Sequence, residues 1–143
     1  SFSDAEDQGV EVDWPETCDT ERGTVAVPNF FAPECHAPFE GDNGGATDVG
    51  VTADTIRIAV IADVDNPARP GLFQGIVNGV EAFGKYINGT KGKLAGRNVQ
   101  VDFIDSKLSA DEARNAVIKA CQEDFAIVGT SALFLNNVQP LEQ

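Results

Sequence analysis

Polar residues that could bind a ligand follow three apolar runs of the chain. Asp63 and Asp65 follow the run "TIRIAVIA", Asp105 ends the run "NVQVDFID", and Thr130 and Ser131 follow the run "FAIVG". Carboxylate oxygens can bind a divalent cation, whereas hydroxyls and backbone amides at a strand-to-helix turn can hold the carboxylate of a small polar solute. The same residue types also suit ordinary turns and helix caps, so both interpretations stay open.

Covalent catalysis is not supported by these residues. Thr130 or Ser131 would need a general base, and the only histidine, His36, lies far away in the first third of the chain. A dinucleotide site would need a glycine-rich turn after the first apolar run, but that turn is "ADVDNPARPG", whose acids would repel a phosphate. We therefore predict no enzymatic activity and no cofactor.

Two metal sites are conceivable, and we favour neither. Asp63, Asp65 and Asp105 could form the magnesium cluster of a phosphate-accepting signalling domain, but that site also needs a lysine at a later strand end. Cys18, Cys35 and His36 could bind zinc, but they lack the ligand spacing of structural zinc sites. We expect no metal ion at either place.

The elements that must position these residues begin near Val51. The chain from there reads as strand, helix, strand, helix, strand, with strands at Thr55–Ala62, Asn98–Asp105 and Phe125–Gly129. Two such units with right-handed crossovers predict an α/β fold with a doubly wound parallel sheet, which binds ligands beyond the carboxyl ends of its strands. The resulting candidate ligand-binding residues are Asp63, Val64, Asp65, Gln74, Asp105, Thr130, Ser131, Ala132 and Leu133.

The two helices are predicted from their apolar spacing. The first runs from about Gly71 to Asn88, where Asn-Gly-Thr reads as a helix stop although it is formally a glycosylation sequon. Its apolar stripe contains Phe73, Ile76, Val77, Val80, Phe83 and Ile87, and its Gly75 and Gly79 suggest close approach to a neighbour. The second opens with a capping box at Ser109 to Glu112 and buries Ala113, Ala116, Val117, Ala120 and Cys121.

Most of the acidity lies in the first third of the chain. Residues 1–50 carry twelve acids and one base, a net charge of −11, whereas residues 51–143 carry eleven acids and nine bases, a net charge of −2. This balance argues against nucleic acid or an anionic membrane as a partner, since both attract basic surfaces. No apolar run approaches the ~18–20 residues of a membrane-spanning helix.

Residues 1–50 are predicted to be a loop-rich, acidic extension that is broken by prolines and ends in a flexible linker at 40–48. A disulfide between Cys18 and Cys35 would stabilise such a segment and would place the protein outside the cytosol. We expect Phe30, Phe31 and Phe39 to cover a neighbouring apolar surface, the alternative being a partner-binding patch. The chain begins at Ser1, contains no Met and has no basic stretch followed by an apolar core, so we expect any signal peptide to have been removed or to lie outside this sequence.

The second part of the chain resembles a known family. The segments "IRIAVIADVDNPARPGLFQGIVNGVEAFGKYIN", "GKLAGRNVQVDFIDS" and "SADEARNAVIKACQEDFAIVGTSALFLNNVQPLEQ" are similar to the start of type I solute-binding proteins of ABC importers, the class that includes branched-chain amino acid-binding proteins. The resemblance covers residues 54–143. It implies the first part of the N-terminal lobe of a protein more than twice as long.

The resemblance also implies a function. The protein would capture a small polar, amino acid-like solute between two lobes and deliver it to the membrane subunits of an importer, in the periplasm or at the cell surface, where a lipid anchor is one option. The same fold also serves as the ligand-sensing ectodomain of receptors, which is the alternative. An incomplete lobe would expose a sheet edge and favour self-association.

Two positions depart from the family pattern. Asp63-Val64-Asp65-Asn66 stands where the family often has Pro-x-Thr/Ser-Gly, and Leu133 stands where amino acid binders commonly have a serine. The identity of the solute therefore stays open between an amino acid, an amide, an aromatic acid and other small metabolites.

Overall fold

Three parallel strands form the centre of the structure, a computed structural model that describes residues 1–90 and 93–135. The helices are α1 (Phe2–Gln8), α2 (Gln74–Asn88) and α3 (Ala110–Glu123). The strands are β1 (Cys18–Asp19), β2 (Thr24–Val25), β3 (Thr55–Ala62), β4 (Asn98–Asp105) and β5 (Ala126–Ser131). The bounds of β3 and β4 confirm the predicted strands.

The parallel sheet has the order β4-β3-β5, so the first strand of the sheet lies in its middle. β3 pairs with β4 in an unbroken register from Thr55 opposite Asn98 to Ala62 opposite Asp105. Its residues are almost all buried, as expected for a central strand covered on both faces. The predicted α/β class with a parallel sheet is thus confirmed for the described residues.

The two long helices cover opposite faces of the sheet. Val60 and Ala62 of β3 pack with Val77 of α2, whereas the alternate residues Ala59 and Ile61 pack with α3. The α3 residues in this contact are Ala116, Val117 and Ala120. This arrangement follows from the two-residue period of a strand, which directs neighbouring side chains to opposite faces.

Helix α2 packs closely on the sheet at a glycine that the sequence analysis did not single out. A Cβ atom on Gly84 would lie 2.9 Å from a methyl carbon of Val101 in β4. Gly75 and Gly79 have nothing within 4 Å of such an atom, so the expected close approach at those two residues is wrong. Gly75 and Gly79 share one exposed face of the helix, whereas Gly84 lies on the face that packs against β4.

Several side chains are more exposed than their helical spacing predicts. Ile76 and Phe83 of α2 are 38% and 48% exposed, so the apolar stripe of this helix is wider than its contact with the sheet. Cys121 of α3, predicted to be buried, is exposed.

Half of the predicted capping box of α3 is present. Ser109 caps the helix by accepting from the amide of Glu112, but its own amide donates to the carbonyl of Ser106 at 2.9 Å.

The end of α2 is attached to β4 by one side chain. The Asn88 amide group donates to the carbonyl of Val99 at 2.9 Å and accepts from the Val99 backbone N–H at 2.7 Å. The Asn88 side chain therefore pairs with the backbone of Val99 through both of its hydrogen-bonding atoms, as a neighbouring strand would. Its side-chain nitrogen is already engaged in the fold, in agreement with our interpretation of the sequon as a helix stop.

The first fifty residues are more ordered than their prolines suggest. They form helix α1 and a short antiparallel pair of β1 with β2. The predicted disulfide between Cys18 and Cys35 links β1 to the segment after Pro33, with Cα atoms 5.8 Å apart. The Phe2 ring stacks on Trp14 with ring centroids 4.9 Å apart. Helix α1 was not predicted, because its Ser1 cap and Gly9 stop enclose only seven residues, too few to show a helical period.

The aromatic residues of this extension behave differently from one another. Phe39 lies against Gly96, as expected for a side chain that covers a neighbouring surface. Phe30 and Phe31 are 95% and 84% exposed and contact each other edge to face, so our expectation that they cover an apolar surface is wrong.

A buried arginine joins the extension to the sheet. The Arg97 guanidinium donates to the carbonyls of Thr52, Asn43 and Gly45, and Arg97 is only 5% exposed. The segment at 40–48 was predicted to be a flexible linker, but these hydrogen bonds hold its backbone against the sheet unit. A buried guanidinium needs such acceptors because its charge cannot be removed near neutral pH.

No helix in the described ranges is both long enough and apolar enough to cross a membrane.

Gly50 provides a test of how closely the chain is packed before β3. Its φ is +68°, and an added Cβ atom would clash with the backbone nitrogen of Phe125. Gly45 has nearly the same φ, +69°, but no atom lies within 4 Å of an added Cβ. We predict that Gly50→Ala lowers the free energy of unfolding by roughly 1–3 kcal/mol more than Gly45→Ala, because only the former clashes with backbone.

Urea denaturation of the two variants measures this difference. Equal losses would show that the cost comes from the backbone angle alone and that the backbone of Asp124 and Phe125, just before β5, does not pack against Gly50 as described.

Candidate functional site

The carboxyl ends of the three parallel strands are organised around one buried carboxylate. Asp63, directly after β3, is 1% exposed. Its Oδ1 accepts from the Ser106 hydroxyl at 2.6 Å and from the Leu108 amide at 2.8 Å. Its Oδ2 accepts from the Leu133 amide at 2.8 Å. One side chain thus connects the segments that follow all three strands.

These hydrogen bonds keep the Asp63 carboxyl ionised. Burial by itself would raise its pKa, but the donors at Ser106, Leu133 and Leu108 outweigh burial and hold the pKa of Asp63 below its usual value of 3.8. Asp63 was predicted to contact a ligand. In the structure both of its oxygens accept hydrogen bonds from the chain itself. Asp63 therefore holds the loops in position from beneath the surface.

Asp105, which ends β4, makes a second connection closer to solvent. Its Oδ1 accepts from the amides of Val64 and Lys107 at 3.1 and 2.8 Å, and its Oδ2 accepts from the amide of Asp65 at 2.8 Å. The loop after β3 is therefore bound to the end of β4. Asp105 is half-buried, and its oxygens are also used to position backbone.

The long loop between β3 and α2 is held by its own residues as well. Asn66 is 2% exposed, accepts from the amide of Arg69 at 2.7 Å and donates to the carbonyl of Arg69 at 3.1 Å. The amide of Gly71 donates to the carbonyl of Val64 at 2.9 Å. This loop therefore has a defined shape although it contains no helix or strand.

The loop after β4 stores backbone strain at this surface. Lys107 and Leu108 are consecutive non-glycine residues with φ values of 51° and 57°. A left-handed conformation costs such residues roughly 1–2 kcal/mol each. The carboxylates of Asp105 and Asp63 accept the amides of these two residues, so the two acids hold the strained turn in place.

Strand β5 extends further than predicted and contains an irregularity. Ala126 and Ile127 pair with Ile58 and Ala59, but Thr130 and Ser131 pair with Ile61 and Ala62, so β5 has one extra residue opposite β3. Gly129, with φ of 91°, lies in this bulge. Thr130 and Ser131 are thus strand residues, which corrects the prediction that they form a turn after the strand.

The bulge separates the candidate residues on β5. Thr130 and Cys121 of α3 both line an open cleft of about 370 Å³ on the face of the sheet that α3 covers. Ala132 packs partly into the core on that same face. Ser131 lies opposite Ala62, the last residue of β3. Residues 132–135 contain a turn, and residues 136–143 lie outside the described residues.

The remaining candidates form the exposed part of the surface. Asp65 is exposed, Val64 is half-buried, and the Leu133 side chain is 60% exposed while its amide is occupied by Asp63. Gln74 is exposed at the start of α2 and donates along the helix to Asn78 at 2.9 Å. We call the surface formed by Val64, Asp65, Asp105, Ser131 and Leu133 the carboxyl-end surface.

Metal binding finds no support in this geometry. No group of three or more His, Cys, Asp or Glu side chains within residues 1–90 and 93–135 is arranged to hold a metal ion. Among the three acids considered for magnesium, Asp63 and Asp105 direct their oxygens to donors in the protein.

A second group of titratable residues lies near the start of β5, and the sequence analysis did not identify it. The Arg57 Nε donates to Asp102 at 2.8 Å and lies 3.7 Å from an oxygen of Asp124. Neither oxygen of the buried Asp124 side chain has a hydrogen-bond partner among the described residues. Burial and the neighbouring Asp102 carboxyl raise the pKa of Asp124 to about 6, although Arg57 opposes the shift.

This acid pair depends on residues that are far apart in the sequence. Asp102 lies in β4 and Asp124 between α3 and β5, so only the order of the strands brings them to either side of Arg57 in β3. The pair lies near the amino end of β5, away from the carboxyl-end surface.

Comparisons with protein-family models, with curated proteins and with solved structures found no match to this chain.

Removing one oxygen from Asp63 tests the central role of its carboxylate. We predict that Asp63→Asn lowers the free energy of unfolding at pH 7 by roughly 2–4 kcal/mol, because an amide nitrogen then faces a backbone or hydroxyl donor. The exposed Asp65→Asn should change it by less than about 0.5 kcal/mol. Urea denaturation, together with hydrogen exchange at the amides of Leu108 and Leu133, measures both effects.

The pH dependence gives an independent check. Because the pKa of Asp63 in the fold is below the unfolded value of 3.8, its stabilisation is complete above that value and is lost as pH falls through the folded pKa. If Asp63→Asn and Asp65→Asn were equally stable, the network would not be structural.

The raised pKa of Asp124 predicts the opposite pH dependence. Folding favours the protonated form, so this stability is present below pH 4 and is lost as pH rises toward about 6. We predict that Asp124→Asn, which mimics the protonated acid, raises the free energy of unfolding at pH 7.5 by about 1–3 kcal/mol and has a smaller effect at pH 4.5.

Denaturation of Asp124→Asn at both pH values measures this effect, with the exposed Asp54→Asn as the control. A stabilisation that does not depend on pH, or an equal one in the control, would contradict the shift.

Proposed function

We propose that the chain is part of a solute-binding protein of an ABC importer, with the periplasmic binding protein type I fold. In this proposal residues 51–143 supply the first part of the N-terminal lobe. The carboxyl-end surface forms one wall of a cleft in which a small polar, amino acid-like solute binds, and no chemical reaction takes place.

The observation that carries this proposal is the convergence of three strand ends on one preorganised surface. In a sheet of order β4-β3-β5, the chain moves to one side after β3 and crosses to the other side after β4. Val64 and Phe73 after β3 pack on the face that α2 covers, whereas Ala132 and Leu135 after β5 pack on the face that α3 covers. Open parallel sheets bind ligands in the crevice at such a point. Asp63 and Asp105 hold these loops in one conformation, which lowers the ordering cost of binding.

The exposed groups of this surface suit a polar solute. The Asp65 carboxylate is an acceptor for an ammonium or amide group, and the hydroxyl of Ser131 is both donor and acceptor. The exposed Leu133 side chain offers an apolar contact beside them. These three side chains lie at the ends of β3 and β5, which makes them the candidates for direct ligand contact.

The exposure of β5 supports the idea that this lobe continues beyond the described residues. β5 is an outer strand of the sheet, and its residues Val128, Gly129 and Thr130 are exposed, unlike the buried β3. Phe125 and Val128 leave 54% and 40% of their surface in contact with solvent. In the proposed lobe a further strand pairs with β5 and covers these side chains.

The Cys18–Cys35 disulfide supports a location outside the cytosol, since disulfides form and persist in oxidising compartments. The proposed partners are the solute and the membrane subunits of the importer.

A single cleft wall should bind solute weakly, and at a defined place. We predict that amino acids, amides or aromatic acids at millimolar concentration shift the NMR resonances of the amides of Asp65, Ser131 and Leu133, with dissociation constants of roughly 1 mM or weaker. Asp65→Ala should abolish the shifts, whereas Asp54→Ala should preserve them. Shifts confined to other surfaces, or submillimolar binding in calorimetry, would contradict the proposal of half a cleft.

A further inference from the structure

An apolar pocket lies between the disulfide-bonded extension and helix α2. It shares no lining residue with the carboxyl-end surface. Its volume is about 530 Å³, within the ~300–1,000 Å³ range of small-molecule sites. On one side it is lined by Ala82, Phe83 and Tyr86 of α2. On the other it is lined by Val25, Val27 and the Cys18–Cys35 disulfide. We call it the disulfide pocket.

The pocket exists because α2 is apolar on more of its surface than the sheet can cover. Val77 and Val80 contact the sheet, whereas Phe83 and Tyr86 face the extension and remain 48% and 42% exposed. Leaving two neighbouring aromatic rings this exposed forgoes the free energy of burying them, about 25 cal/mol for each Å². A ligand that covers both rings recovers that free energy.

The opposite wall is held in position without filling the space. The disulfide joins β1 to the segment after Pro33, and the Cys35 amide donates to the carbonyl of Gly23 at 2.9 Å. The amide of Phe2 donates to the carbonyl of Cys35 at 2.9 Å. These contacts fix the shape of the wall itself, and the hydrogen bonds from Arg97 to the carbonyls of Asn43 and Gly45 attach the extension to the sheet unit.

The charges at the rim indicate an uncharged ligand. Lys93 and Glu34 both line the pocket, so the two opposite charges offset each other. Glu34 is also occupied, since its Oε1 accepts from the amide of Ser3. An anion would be repelled by the net charge of −11 on residues 1–50, and a cation would meet Lys93 in the lining and only one carboxylate, that of Glu34, which already accepts from Ser3. His36, Thr17 and Thr90 remain at the rim as hydrogen-bonding groups.

We propose that the disulfide pocket binds an uncharged, largely apolar small molecule with a ring system that stacks on Phe83 and Tyr86. Aromatic rings prefer offset or edge-to-face contact with other rings, and both walls leave room for such a ring between them. This site is separate from the proposed solute cleft, and it does not depend on the solute-binding function.

Fluorescent probes that differ in charge test both the site and the ligand class. The uncharged N-phenyl-1-naphthylamine should bind the full 143-residue chain with enhanced fluorescence, and the anionic 1-anilinonaphthalene-8-sulfonate should bind at least about tenfold more weakly. Tighter binding of the anionic probe would overturn the proposed ligand class.

The location is tested with a variant that fills the pocket. Ala82→Trp places a large ring in the pocket and should weaken binding of the uncharged probe at least about tenfold, whereas Gln122→Trp, exposed on α3, should leave it unchanged. Circular dichroism shows whether both variants are folded. Equal binding by the two variants would overturn the proposal.

NMR on the unaltered chain keeps the test valid if Ala82→Trp fails to fold. The probe should shift the methyl resonances of Val25, Val27 and Ala82. Shifts confined to Val128 and Leu133 would show that the probe binds the exposed region around β5 instead, and would overturn the proposal.

Discussion

The hydrogen bonds accepted by the Asp63 carboxylate are the interaction on which the shape of the candidate site depends. Three parallel strands place three loops at one edge of a sheet, but a sheet alone does not position loops relative to one another. Asp63 does so because it directly follows β3, while its two carboxylate oxygens accept hydrogen bonds from the segments after β4 and β5. A buried carboxylate is tolerated there because its donors outweigh the cost of desolvation, as the lowered pKa of Asp63 shows.

The same principle, a buried charge that organises backbone, recurs at Arg97. Its guanidinium binds carbonyls on both sides of the junction between residues 1–50 and the sheet unit. Asp63 accepts from two backbone amides and the Ser106 hydroxyl, and Arg97 donates to backbone carbonyls. Each joins parts of the chain that hydrophobic packing alone would leave free to shift, because hydrophobic attraction is non-directional whereas hydrogen bonds have defined geometry.

The acid pair at Asp102 and Asp124 shows the contrasting case. There one guanidinium, that of Arg57, serves more than one carboxylate, and the buried oxygens of Asp124 have no donor among the described residues. The pKa of Asp124 rises where that of Asp63 falls, although both acids are buried next to a strand. Two things differ: Asp63 accepts three hydrogen bonds, and Asp124 has the Asp102 carboxyl beside it. Asp63 is therefore a structural support, whereas the ionised form of Asp124 is destabilised by its surroundings.

The sequence by itself determined the class of the fold, the bounds of β3 and β4, the stop of α2 at Asn88 and the disulfide, because these depend on local patterns: continuous β-branched runs, helical spacing, Asn-Gly and the pairing of two cysteines. It also placed the candidate site at the strand ends, since parallel strands share an edge. Only the tertiary structure decided that Asp63 is buried beneath the site, that a bulge at Gly129 carries β5 on to Ser131, and that Phe83 lines a pocket. In the sequence, a glycine is compatible with a turn or a bulge, and an aspartate with a ligand contact or a buried hydrogen-bond acceptor. Which of the two structures is present depends on neighbours up to seventy residues away, as in the contact of Asp63 with Leu133.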